Sequence, residues 1–192
     1  MPFNPKIHHR RSIRIKEYDY SQAGLYFITI CCRDRICRFG KIENGEMILN
    51  DLGKIVMQCW LDIPQHFPCA ILHEYVIMPN HIHGIIELTV VGAQNLVPLQ
   101  IPQMPLQIPQ IPLQIPQIQI PQKNAFQKII PRSIGSIIRG FKIGVTIETK
   151  KILPVYSDSV WQRNYYEQII RDEQSHKNIV NYIINNPTNW KG

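Results

Sequence analysis

The chain has 192 residues, with 21 Lys and Arg against 14 Asp and Glu, a formal charge of +7 with the seven histidines neutral. That length suits one domain, 44% hydrophobic residues suffice for a buried core, and 18% charged residues argue against a wholly disordered chain. No run approaches the roughly 18–20 uncharged apolar residues of a membrane helix, and MPFNPKIHHRRSIRIK lacks the apolar stretch of a secretion signal, so a soluble cytoplasmic protein with no membrane partner is expected.

Residues 1–16 carry Lys6, Arg10, Arg11, Arg14 and Lys16 with no acid. Concentrated positive charge suits a polyanion, because each neutralised phosphate releases condensed counterions. Leu25 to Cys32, LYFITICC, is β-branched and aromatic and reads as a buried strand. Cysteines 31, 32, 37, 59 and 69 are odd in number and form no CxxC pair, which fits a reducing compartment and gives no argument for a zinc site. In GKIENGEMILN, Asn44-Gly45 between apolar residues predicts a hairpin. Asn50 or Asp51 can cap a helix running to about His66, with Leu52, Ile55, Val56, Cys59, Trp60 and Ile63 at helical spacing and Pro64 and Pro68 ending it. Ala70 to Met78 and His81 to Val90 read as antiparallel strands joined by a turn at Met78-Pro79-Asn80.

From Leu88 to Gln122 there are 35 residues without a charge, and PLQIPQ recurs at 98–103, 105–110 and 112–117. A proline every three or four residues removes helix and ladder donors, leaving an extended segment read as a surface insertion at about 92–122 in an otherwise single domain. Beyond it, residues 123–151 hold seven basic residues against Glu148 alone, and Ser133 to Lys150 reads as a basic helix. A short strand is predicted at Val160 to Tyr166, and a last helix capped by Asp172 and ending at Asn186, before Pro187. This order suits an α+β two-layer plan, an antiparallel sheet with helices mainly on one face.

The chemistry concentrates in two places. His81-Ile82-His83 lies on a predicted strand, where alternation sends both imidazoles to one side, and such a pair can bind a divalent metal while leaving positions open. In the last helix, Ile179, Val180, Ile183 and Ile184 make the predicted core stripe, with Tyr182 and Asn186 side by side at its border. A phenol can split phosphodiester cleavage into two reversible steps, and an amide oxygen can complete a metal site. Taken alone, a bare His-x-His pair and a helical tyrosine also fit ordinary surface and core-edge roles.

Together, YDYSQAGLYFITICCRDRICRFG, VIMPNHIHGII, SIIRGFK, VWQRNYYEQIIRDE and YIINNPTNW resemble the REP-associated tyrosine transposases, relatives of the IS200-like single-tyrosine HUH transposases. The resemblance spans most of the chain outside the neutral tract. It implies a ferredoxin-like α+β domain that cuts single-stranded DNA near hairpins, with His81 and His83 as metal ligands, Tyr182 as nucleophile and Asn186 as third ligand. Gln168 stands where many relatives have histidine. Tyr165 and Tyr166 rival Tyr182, but on a strand they would point to opposite faces. The implied reaction uses Mg2+ or Mn2+ and a 5′-phosphotyrosine intermediate, on single-stranded or hairpin DNA at the nucleoid, and is compatible with a homodimer. Lys6, Arg10, Arg11, Arg14, Arg132, Arg139 and Lys142 are the expected phosphate contacts. The rival reading is a non-catalytic hairpin-binding descendant of such an enzyme.

Overall fold

The structure, a computed structural model, describes residues 19–89, 131–152 and 159–191. The basic N-terminal segment and the neutral proline-rich tract, with the single-domain boundaries drawn around it, lie outside these residues. The elements run β1 (Gly24–Cys31), β2 (Gly40–Glu43), β3 (Glu46–Leu49), α1 (Asp51–Leu61), α2 (Ile63–His66), β4 (Ala70–Met78), β5 (His81–Leu88), α3 (Ile134–Ile152), β6 (Tyr166–Ile170) and α4 (Glu173–Ile184). Four strands form one sheet in the order β4-β5-β1-β6, every neighbouring pair antiparallel. Setting aside the β2–β3 hairpin, the path β1-α1-β4-β5-α3-β6 is the ferredoxin-like βαββαβ plan, extended by α4. Among the described residues, no helix is long and apolar enough to cross a membrane.

The two faces of the sheet are covered unequally. Tyr26, Ile28 and Ile30 of β1 and Ile82 and Ile86 of β5 pack on Leu52, Val56 and Trp60 of α1 and on Ile134, Ile137, Ile138, Phe141 and Val145 of α3. This is the principal core, and α2 joins it through Ile63. The alternate residues face the other way, where Phe27, Ile85 and Ile170 meet Ile183, with Ile179 and Val180 beside them. Helices therefore lie mainly on one face, while α4 alone among them covers part of the opposite one.

Local chemistry accounts for most boundaries. Asn44 and Gly45 have φ of 53° and 80°, the left-handed pair that a tight hairpin turn requires. The Asn50 side chain accepts a hydrogen bond from Gly53 N at 2.9 Å, and Asp172 accepts one from Ser175 N at 2.7 Å, capping α1 and α4. The helix expected to run unbroken to His66 is instead divided at Asp62, and Pro64 falls in the first turn of the short second piece, where its missing N–H costs nothing. The final helix stops at Ile184, and Ile184 itself is 60% exposed rather than part of the core stripe. The stripe touching the sheet is narrow, and Ile183, 1% exposed, holds its centre.

The strand predicted at Val160 to Tyr166 lies further on, at Tyr166–Ile170. Trp161 makes only an isolated bridge to Cys32, and the chain then turns through Asn164, whose φ is 70°. Ladder pairing to β1 begins at Thr29 opposite Tyr166. As a sheet edge, β6 leaves Tyr166 and Gln168 exposed, so its sequence lacks the apolar character of an inner strand.

Candidate active site

On the α4 face, cross-strand registry sets side chains in rows. Val76, His83, Thr29 and Tyr166 form one row, and Met78, His81 and Cys31 the next. His81 and His83, two residues apart on β5, thus emerge on the same side, their ring centroids 4.5 Å apart. Glycine follows them for a packing reason. A Cβ on Gly84 would stand 2.4 Å from Cζ2 of Trp60 on the opposite face, so only glycine lets β5 lie this close to α1.

Each imidazole is oriented by its Nδ1. Asn80 Nδ2 donates to Arg35 O at 3.1 Å, which turns Asn80 Oδ1 towards His81. His81 Nδ1–H donates to that oxygen at 2.6 Å, leaving the lone pair on Nε2. His83 Nδ1 is hydrogen-bonded with Thr29 Oγ1 at 2.8 Å, and Phe27 stacks on the ring with centroids 5.3 Å apart. Burial, which penalises the charged imidazolium, pushes His81 down to about 4 and His83 down to about 3, the latter helped by its neighbour His81. Both rings are therefore neutral near pH 7, the form that ligates metals. Imidazoles with Nδ1 held fit a divalent ion through Nε2, an atom that in His83 is hydrogen-bonded with the Tyr182 hydroxyl here and would exchange that partner for the ion.

The first and last thirds of the fold close on this pair. α4 brings the Tyr182 hydroxyl to 3.1 Å from His83 Nε2, with Phe27 edge-on to the phenol ring. Tyr182 is 51% exposed, so its oxygen is reachable from solvent. Asn186 follows one turn beyond, in the turn after α4, and Trp190 comes to 5.9 Å from the His81 ring. Tyr165 packs towards the principal core and donates from its hydroxyl to Glu167 Oε2 at 2.7 Å. Tyr166 faces the His83 row, two positions away from it across β1, with its hydroxyl towards Gln168.

The expected phosphate contacts are dispersed. Arg132 and Arg139 are exposed, at the turn before α3 and on it. Lys142, in α3, donates to the backbone carbonyls of Gln162 at 3.0 Å and Asn164 at 2.5 Å, and burial pushes its ammonium down to about 8. Lys6, Arg10, Arg11 and Arg14 lie outside the described residues. Sequence reasoning missed Asn80, Thr29 and Trp190 near the histidines, and Arg33 and Arg163, which with Trp161 line an open cavity of about 520 Å³. The Arg33-Asp34-Arg35 run directly after the predicted first strand held the clue to Arg33. A separate cluster, His73, Glu74 and His176, brings three potential ligand atoms together and could hold a metal.

This fold matches that of a solved REP-associated tyrosine transposase bound to a REP hairpin, with a TM-score of 0.55 and 16% sequence identity over 92% of this chain and 73% of that one. No family model matches the sequence. The chain is 50% identical over 191 residues to an uncharacterized protein of Haemophilus influenzae, covering 98% of this chain and 94% of that protein, and it belongs to the same family as that protein.

Proposed function

We propose that the chain is a metal-dependent enzyme that nicks and rejoins single-stranded DNA beside hairpins, with Tyr182 as nucleophile and His81, His83 and Asn186 as ligands of Mg2+ or Mn2+. The observation that carries this reading is the 3.1 Å approach of the Tyr182 hydroxyl to His83 Nε2 across 99 residues of sequence. A half-exposed phenol beside an oriented imidazole pair, His83 buried and His81 half-buried, is a poor arrangement for stability alone and a good one for attack on a phosphate. Support also comes from the solved structure of the same fold, which holds a REP hairpin.

The bound ion would draw charge from the non-bridging oxygens of the scissile phosphate. Tyr182 Oη forms a bond to phosphorus as the bond from phosphorus to the 3′ oxygen breaks. The phenol gives up its proton and the leaving 3′ oxygen takes one, yielding a 5′-phosphotyrosine and a 3′-hydroxyl. Attack by another 3′-hydroxyl reverses the step and joins strands, with one ester bond exchanged for another and no ATP consumed. Asn80 and Thr29 keep the imidazoles aimed during this exchange. Arg132 and Arg139, with Lys6, Arg10, Arg11 and Arg14, would position the backbone without reading sequence, whereas Lys142 is held by the carbonyls of Gln162 and Asn164. Arg33 and Arg163, which line the open cavity, add positive charge there for a phosphate. The neutral tract at about 92–122 is an insertion between β5 and α3 that takes no part in the chemistry.

The test is incubation with Mn2+ and a labelled pool of single-stranded hairpins with randomised flanks, followed by a denaturing gel. A covalent protein–DNA adduct that depends on metal is expected. Hairpin binding without any adduct would replace this reading with that of a non-catalytic binder.

A further inference from the structure

We propose that His73, Glu74 and His176 form a second metal site, distinct from the His81–His83 pair, that takes a zinc-class divalent transition ion and fastens the first half of α4 to the sheet. One ligand atom from each of the three side chains lies within 4.8 Å of the others. Two imidazoles and a carboxylate match the donors favoured by Zn2+ and its neighbours, whereas Mg2+ and Ca2+ prefer oxygen shells.

The backbone explains how these residues meet. Pairing of β4 with β5 shifts between Leu72 and Tyr75, so His73 and Glu74 together stand opposite the single residue Ile85. Such a bulge redirects a side chain that regular alternation would send elsewhere. From the other side comes His176, on the same helical stripe as Ile179, Val180 and Ile183, which pack on the sheet. The rings of His73 and His176 are 6.2 Å apart and nearly perpendicular, at 84°.

Two further observations point to a ligand. Nε2 of His176 is buried and has no hydrogen-bond partner among the described residues. A buried ring nitrogen left in that state is unfavourable, and a metal ion would satisfy it. His73 Nε2 lies 2.8 Å from Glu87 Oε2, the carboxylate–histidine pairing that commonly supports a metal-ligating ring. Glu87 also brings a second negative charge to the edge of the cluster. Because α4 carries Tyr182 six residues after His176, an ion here would limit the movement of the helix that bears the phenol.

The proposal shares no residue with the function argued above, and Co2+ serves as its probe. In the full chain carrying His81→Ala and His83→Ala, equilibrium dialysis should still find one bound Co2+, with ligand-field absorption bands in the visible. Adding His176→Gln, or Glu74→Gln at an exposed position with circular dichroism unchanged, should weaken binding at least about tenfold. In the otherwise unaltered chain, Glu74→Gln should lower the number of bound Co2+ ions by one. Absence of Co2+ from the doubly substituted chain, or affinity and stoichiometry unmoved by Glu74→Gln and His176→Gln, overturns the proposal. Loss of DNA cleavage has no bearing on it, since Co2+ binding is read without DNA.

Discussion

At the residue scale, the site separates groups that would react from groups that aim them. Tyr182→Phe removes one oxygen from a half-exposed ring, so the covalent adduct should disappear while hairpin affinity changes less than about twofold. An adduct retained in that variant, and lost in Tyr165→Phe or Tyr166→Phe, would move the nucleophile. The histidines and their partners should differ in degree. Replacing both His81 and His83 by Ala should abolish metal-dependent cleavage, with Asn186→Ala the milder change because water can replace an amide oxygen. Asn80→Ala and Thr29→Val leave the donors present but free the rings, so Mn2+ affinity should fall about 10- to 100-fold, measured by titration calorimetry. Affinity unchanged in both would mean that packing against Phe27 and between the two rings is enough to orient them.

At the scale of elements, the site depends on how closely β5 and α4 approach their supports. Gly84→Ala forces a methyl group against the Trp60 ring, which is wedged between β5 and Phe141 of α3, so stability should drop by about 1–3 kcal/mol in urea unfolding. The damage should extend to metal affinity, because β5 carries both imidazoles. Asp172→Ala removes the N-terminal cap of α4 and should lower the midpoint of thermal unfolding. If Asp172→Ala leaves thermal stability unaltered, α4 is held by its apolar stripe alone. The caps and the hairpin turn were legible in sequence because they act over three or four neighbouring residues. The β6 boundary was not, since an edge strand has one pairing partner and its polar alternate residues resemble a loop.

At the scale of the whole molecule, the ferredoxin-like sheet presents one face to α1 and α3 and leaves the other to be completed by α4. The neutral tract enters the chain between β5 and α3, away from both β1 and α4 in sequence. Deleting residues 94–122 and bridging the gap with a short Gly-Ser loop should therefore preserve folding and adduct formation. The shorter connection should add at most on the order of 1 kcal/mol through lower loop-closure entropy. The salt dependence of DNA binding should also stay the same, because the tract carries no charge and releases no counterions. A folded deletion variant with a shallower salt slope or no adduct would make the tract part of the DNA site.

The sequence alone determined the elements whose causes are local: the apolar run of β1, the Asn44-Gly45 turn, the caps at Asn50 and Asp172, and the alternation that places His81 and His83 on one side of β5. It also singled out Tyr182 on the last helix and Asn186 one turn further along, which the structure places in the turn beyond the helix end. Only the tertiary structure decided that α4 crosses to the face opposite α1 and α3 and sets the Tyr182 oxygen beside His83. It likewise assigned Asn80 and Thr29 to the two Nδ1 atoms, and placed His176 against a bulge that gathers His73 and Glu74. The reason is range. Propensity, capping and periodicity act between residues a few positions apart, whereas strand register and the choice of sheet face depend on burial of apolar surface between segments tens of residues apart, which no local pattern encodes.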